Sequence, residues 1–162
     1  MEKAQALTEV RRSFPEAVRE AYSLLGEDIL LTSRESLFRL AKGLQAEPWD
    51  YALLLDLTCV DYLASRGCLE MIYTLYSLSR NHRLRIKVEI PAGEPSLDSL
   101  TPLWKNADWL EREVFDMFGV RFEGHPYLKR IFLYDGFEGH PLRRDYPLRH
   151  RQPIIPPRKR EP

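Results

Sequence analysis

The pentapeptide Phe-Glu-Gly-His-Pro occurs twice in this 162-residue chain, at Phe122–Pro126 and fifteen residues later at Phe137–Pro141. Each copy offers a carboxylate and an imidazole two residues apart. Glu123, His125, Glu138 and His140 could together form a two-histidine, two-carboxylate metal centre, which would activate water for hydrolysis. Against that, each histidine lies between glycine and proline, which is the setting of a turn. Glycine reaches unusual φ values, and a residue before proline is driven out of helix. Turn histidines more commonly bond backbone carbonyls. The chain has no HExxH pair, no Gly-x-Ser-x-Gly elbow and no glycine-rich phosphate loop.

Just upstream stand Glu111, Arg112, Glu113 and Asp116. Glu111 and Glu113 are two apart and face different ways on a helix, so they form no acid–base dyad. Glu113 and Asp116 share a face, but a hard divalent cation wants more oxygen ligands than two carboxylates supply. Acids in the early turns of a helix, paired with Arg112 or Arg130, are the simpler reading. The aromatic residues Phe122, Tyr127, Phe132, Tyr134, Phe137 and Tyr146 read as anchors for an apolar partner surface. The forks of Arg143 and Arg144 suit carboxylates on that partner. The pattern describes a docking surface better than an active site.

The elements that must hold these residues follow from periodicity. A helix is expected over Leu7–Phe14, with Thr8 as a cap and Pro15 ending it. Residues 15–25 are ambiguous between helix and strand. A turn at Gly26-Glu27-Asp28 leads to a strand at Ile29–Thr32. A helix over Arg34–Leu44, capped by Ser33, carries Leu37, Leu40, Ala41 and Leu44 as its buried stripe. Strands are expected at Tyr51–Tyr62, at Leu69–Leu78 and at Arg83–Ile90. The second is apolar on both faces, as in a central strand. The third alternates strictly, so one sheet face is wet. The links between them are short and favour antiparallel pairing. Pro91–Pro102 reads as loop. A last helix starts at Asn106 or Asp108 and stops at Gly119, with Leu110, Val114 and Met117 facing the core. The predicted fold is α+β, a mainly antiparallel sheet with helices packed on one side, followed by an extended C-terminal tail. Residues 1–140 form the domain and residues 141–162 a basic, proline-rich strap.

Composition sets the outer limits. One domain with a sizeable core is expected. The net charge is zero, which disfavours nucleic acid and other general polyanions as partners. The strap carries seven Lys/Arg and two Asp/Glu, a net of plus five, so the remainder is minus five. Such a segment orders on a partner more readily than alone. Cys59 and Cys68 are the only cysteines, whereas a cluster or structural zinc usually takes four ligands. No apolar run approaches the roughly 20 residues of a membrane span. The expectation is a cytoplasmic protein that meets a membrane only through a partner.

Three blocks carry a resemblance: EREVFDMFGV at Glu111–Val120, FEGHP with LKRI at Phe122–Ile131, and EGHPLRRDYPL at Glu138–Leu148. With DLTCVDYL at Asp56–Leu63 and LRIKVEIP at Leu84–Pro91, they resemble the thirty-kilodalton subunit of respiratory complex I, the C-subunit of bacterial NADH–quinone oxidoreductase. The resemblance implies a non-catalytic scaffold subunit in the peripheral arm of a proton-translocating complex. It implies docking on the quinone-pocket subunit and neighbouring iron–sulfur subunits, on the cytoplasmic side of the inner membrane. FMN, the iron–sulfur clusters, NADH and quinone would belong to the complex; this chain would bind none of them and no metal. The residues carried over are structural or interfacial. Glu111, Arg112, Glu113 and Asp116 order the helix that Phe118 and Gly119 close. Phe122, Gly124, His125, Pro126 and Arg130 shape the first turn, and Glu138, Gly139, His140 and Pro141 the second. Arg143, Arg144, Asp145 and Tyr146 begin the strap. The chain departs from the family pattern at Tyr127, usually Asp, and at Phe137, often Trp, and its strap reads as short. The alternatives are the equivalent subunit of an energy-converting hydrogenase, or of a complex fed by ferredoxin or a deazaflavin, and a free-standing metal-dependent hydrolase using the paired turns.

Overall fold

A computed structural model describes residues 3–149 and 151–152, with side chains from Ala6 onward. Helix α1, Lys3–Ser13, starts before the expected Leu7 and buries Ala6, Leu7 and Val10. The ambiguous segment resolves as strand β1, Val18–Leu24, paired antiparallel with β2, Glu27–Thr32. The turn between them is Leu25-Gly26, both at positive φ (52° and 82°). Glu27 and Asp28, expected in the turn, are therefore strand residues. Leucine is a poor turn signal because its Cβ disfavours positive φ, which explains the misplacement.

Helix α2, Leu37–Gln45, buries Leu37, Leu40, Ala41 and Leu44 as expected. It begins one turn later than Arg34, because Ser36 N donates to Ser33 O (3.2 Å) and closes a separate turn there. Strand β3 (Leu53–Tyr62), the short helix α3 (Leu63–Arg66), β4 (Cys68–Ser77) and β5 (His82–Pro91) follow. The five strands lie in the order β1-β2-β5-β4-β3. Three of the four pairings are antiparallel and β2–β5 is parallel, so the sheet is mixed though mainly antiparallel. The parallel pair needs a long crossover. Here α2 and the β3–β4 hairpin supply it. Strand β4 is interior as expected, but β5 holds the middle. Leu69, Met71, Tyr73 and Leu75 of β4 face the helices, while Ile72, Thr74 and Tyr76 on the open face are half-buried.

The inner sheet face packs on α1, α2 and the last helix, α4 (Ala107–Phe118), in one apolar cluster. At one end of that face, Tyr51 Oη bonds His82 Nδ1 (2.7 Å) and His82 Nε2 bonds Asp28 Oδ2 (3.0 Å). A ring proton on Nε2 gives every polar hydrogen an acceptor and ties the β1–β2 hairpin to β5 and to the entry of β3. Within the expected loop 91–102, Ser96–Asp98 forms β6, which pairs in parallel with β7, Arg121–Glu123. Strands of three residues are too short to show a period, so the loop reading is corrected here.

Candidate functional site

Helix α4 ends where its sequence says it should. Gly119 adopts φ 80° and its amide bonds Phe115 O (3.0 Å). A Cβ on Gly119 would stand 2.6 Å from the His140 ring, so this glycine serves both the left-handed stop and the close approach of the second repeat. Asn106 occupies the N-cap without a side-chain cap bond; its amide donates instead to Leu54 O (2.7 Å) on edge strand β3. Val114 is buried, and Leu110 and Met117 are half-buried against the core. The unexpected result is that Glu111 and Asp116 are both fully buried.

Each acid has its own set of donors. Glu111 Oε1 accepts from Leu100 N (2.7 Å) and Oε2 from Ser99 Oγ (2.7 Å), and Ser99 Oγ also lies 2.8 Å from Thr101 Oγ1. Burial pushes the Glu111 carboxyl up to about 7, against the pull of those two donors. Asp116 behaves oppositely. Its Oδ2 accepts from the consecutive amides of Ile131 (3.1 Å), Phe132 (2.8 Å) and Leu133 (3.0 Å), and Oδ1 from Arg130 Nη1 (2.8 Å). Burial raises its pKa, but the amides and the guanidinium together outweigh that, and the carboxyl stays below its ordinary value. The expected pairing with Arg130 is thus made by Asp116. Glu113 is exposed, and Arg112 donates to backbone, with Nε to Lys129 O at 2.9 Å and Nη2 to Arg130 O at 3.5 Å.

The two histidines staple their turns to opposite ends of α4. The Tyr127 amide donates to His125 Nδ1 (3.0 Å), so the ring proton sits on Nε2, 3.2 Å from Asp108 O. His140 Nδ1 bonds Asp116 O (3.0 Å). Eight residues separate these carbonyls, roughly 12 Å along the helix at ~1.5 Å per residue. One metal ion needs its imidazole nitrogens within about 2.1 Å, so the two turns do not converge on a shared ion. Among the described residues no group of three or more His, Cys, Asp or Glu is placed to hold a metal. The thiol of buried Cys59 is pushed up to about 12, first by burial and then by Asp61, and both cysteines are free. Two thiols also fall short of the four an iron–sulfur cluster takes.

The second repeat and the start of the strap lie against the body. Arg130 Nη2 bonds Gly139 O (3.1 Å), and Leu142 N bonds Met117 O (3.1 Å). Arg144 N donates to Asp61 Oδ2 (2.7 Å), while Asp61 Oδ1 accepts from Leu63 N (2.7 Å). The Arg143 fork closes on Asp145 (2.9 and 2.6 Å), not on an outside carboxylate. Gln152 bonds Glu138 N and O (3.0 and 2.9 Å). Half of the strap, residues 153–162 with His150, lies outside the described residues. Asp61 was missed by the sequence reading, although its place after Leu57 and Cys59 on the inward alternation of β3 marks it as a buried acid needing donors.

The aromatics divide into two groups. Phe122 is buried in the chain's own core, and Tyr134, Phe137 and Tyr146 pack on one another, with Phe137–Tyr146 stacked at 6.1 Å and 18°. The expected role of Phe122 as an outward anchor is therefore corrected, while Tyr134, Phe137 and Tyr146 are half-buried. Tyr127 (54% exposed) and Phe132 (64%) do face outward, joined by Trp109 (63%) and Leu142 (54%).

Known proteins resemble this chain in sequence and fold. The family described as "Respiratory-chain NADH dehydrogenase, 30 Kd subunit" matches residues 30–152. The chain is 39% identical over 147 residues to the NADH-quinone oxidoreductase C-subunit of Geotalea uraniireducens, covering 91% of this chain and 89% of that protein. It is 38% identical over 148 residues to the same subunit of Geobacter sulfurreducens, with 91% of each covered. Among solved structures, the trypsin-resistant fragment (1-134) of Nqo5 aligns at TM-score 0.66 and 29% identity, covering 79% of this chain and 100% of that one. A chain of the membrane-bound sulfane sulfur reductase, an archaeal respiratory membrane complex, aligns at TM-score 0.78 and 21% identity, over 91% of this chain and 87% of that one, a likeness of fold.

Proposed function

This chain belongs to the respiratory-chain NADH dehydrogenase 30 kDa subunit family, and from that membership we propose that it is a non-catalytic scaffold in the peripheral arm of a proton-translocating NADH:quinone oxidoreductase. It docks on the quinone-pocket subunit and the neighbouring iron–sulfur subunits, on the cytoplasmic side of the membrane. Electrons pass from NADH through FMN and iron–sulfur clusters to quinone in those other subunits. The chain's own part is to hold them in fixed geometry.

The observation that carries this reading is the use made of the reactive-looking residues. Asp116, Arg130, His125 and His140 are spent on backbone groups and on one another, and this consolidates two turns on α4. What the same region turns outward is Trp109, Tyr127, Phe132 and Leu142, residues that bind by covering area. Among the described residues no helix is long and apolar enough to cross a membrane, which supports attachment through other subunits.

The test is a pull-down from native membranes in mild detergent, with a tag at the N-terminus and mass-spectrometric readout. Recovery of the quinone-pocket, iron–sulfur and NADH-binding subunits is the expected result. A nickel-ligating large subunit in their place would assign the chain to a hydrogenase-type assembly. A lone chain carrying stoichiometric metal that a His125→Ala/His140→Ala variant loses would overturn the scaffold reading.

A further inference from the structure

The outer side of α4 carries a feature that scaffolding by buried staples does not use. Arg112 lies between two exposed rings, its guanidinium carbon 5.0 Å from the Trp109 centroid and 5.4 Å from that of Tyr127. Lys129 Nζ sits 4.6 Å from the Tyr127 ring. The Arg112 bonds to the carbonyls of Lys129 and Arg130 orient its fork but leave its charge unneutralised. Among the described residues neither cation has a carboxylate oxygen within 4.0 Å. The neighbouring arginines differ, since Arg130 is paired with Asp116 and Arg143 with Asp145. The nearest acid one turn back on the same helix, Asp108, turns toward His125, with Oδ1 at 3.5 Å from Nε2. Two cations, Arg112 over two rings and Lys129 over one, are therefore left without counter-charges.

We propose that Trp109, Arg112, Tyr127 and Lys129 form an aromatic–cation seat for an acidic segment of a partner protein. The proposal rests on the docking reading above and names the chemistry of what docks. Charge complementarity selects the occupant. Carboxylates are the counter-charge that an oriented guanidinium fork and a nearby ammonium match, and the adjoining rings, once covered, exclude water and strengthen that pairing. Cation–π contact with both rings, together with its two carbonyl bonds, holds the Arg112 fork in place and lowers the ordering cost of binding. A polyanion such as nucleic acid is a poorer occupant, because the chain as a whole carries no net positive charge to attract one.

The seat is tested in the assembled complex. Trp109 of the full chain is replaced by a photo-crosslinking aromatic amino acid, the complex is purified in mild detergent and irradiated, and the adduct is mapped by mass spectrometry. The expected adduct joins position 109 to a segment of another protein that carries Asp or Glu within a few residues of the cross-link. An adduct to lipid, to a second copy of this chain or to a segment without carboxylates overturns the proposal, as does no adduct from a chain still held in the complex. In a second arm, Lys129→Glu is expected to reduce retention in the complex during a salt wash by about tenfold, as reversing one covered charge should do, with the isolated chain's Tm unchanged. Undiminished retention counts against the seat. The cross-link decides the matter in whichever assembly the chain is recovered, so failure of the respiratory assignment and failure of the seat are separate results.

Discussion

Replacing Glu111 by glutamine should stabilise the isolated protein above neutral pH and leave its stability near pH 4.5 almost unchanged. The carboxyl titrates at about 7 in the fold because of its burial, against an ordinary value of 4.5, and nearby Asp108 adds to the shift. Below about pH 4.5 the group is protonated in both folded and unfolded chains, and no penalty arises. Between the two values the folded state holds a proton that the unfolded state has lost, so stability falls as pH rises, by about 1.4 kcal/mol per unit. Above about 7 both states are ionised and the full cost, on the order of 3 kcal/mol, is in force. Glutamine copies the protonated acid. Its carbonyl can accept from Leu100 N and its amide can donate to Ser99 Oγ, which in turn can donate to Thr101 Oγ1. At roughly 2–4 °C per kcal/mol for a chain of this size, the Tm gap between Glu111→Gln and wild type should open from near zero to about 6–12 °C by pH 8. Thermal melts of both proteins across that range measure it, and the difference cancels the titration of every other group. Parallel curves would refute the reasoning, because they would mean that the carboxyl binds its proton equally well in the folded and unfolded chains.

Asp116→Ala should lower stability by more than about 3 kcal/mol, since it strands the amides of Ile131, Phe132 and Leu133 and the Arg130 fork at once; chemical denaturation checks this. Gly119→Ala should cost about 2 kcal/mol or more, because the new Cβ both requires an unfavourable φ and meets the His140 ring. Adding His140→Ala to it should recover only part of the loss, as the backbone strain remains. Truncation after Tyr146 removes the exposed Gln152 clamp but none of the bonds to α4, so Tm should fall by no more than about 3 °C. Recovery of partner subunits in the pull-down should nonetheless drop sharply; undiminished recovery would show that the strap is dispensable for assembly.

The parts of this fold that were legible are those whose pattern is local. The stripe of α2, the alternation of β5 and the stop at Gly119 each follow from residues within one element. Strand β1 was hidden because its turn uses leucine at positive φ, and β6 and β7 because three residues show no period. At the site, the Gly-His-Pro flanks gave both turns correctly. Glu111 and Asp116 look like ordinary surface acids in the sequence, since a charged side chain on a helix is normally solvated. Their burial is created by segments distant in sequence, Ser99–Thr101 and Ile131–Leu133, which no local window contains. The outward role of the aromatics was illegible for a similar reason: which rings pack on each other depends on how the two repeats fold back over α4.

The three successive amides held by Asp116 share a single acceptor oxygen. Withdrawal of that oxygen frees all three at once, so their exchange with solvent deuterium should occur in a common event with one opening free energy. That makes Ile131–Leu133 a reporter for the whole segment folded over α4. An assembly partner covering the neighbouring surface should slow all three amides by the same factor, and the size of that factor would measure how much of its binding energy passes into the platform.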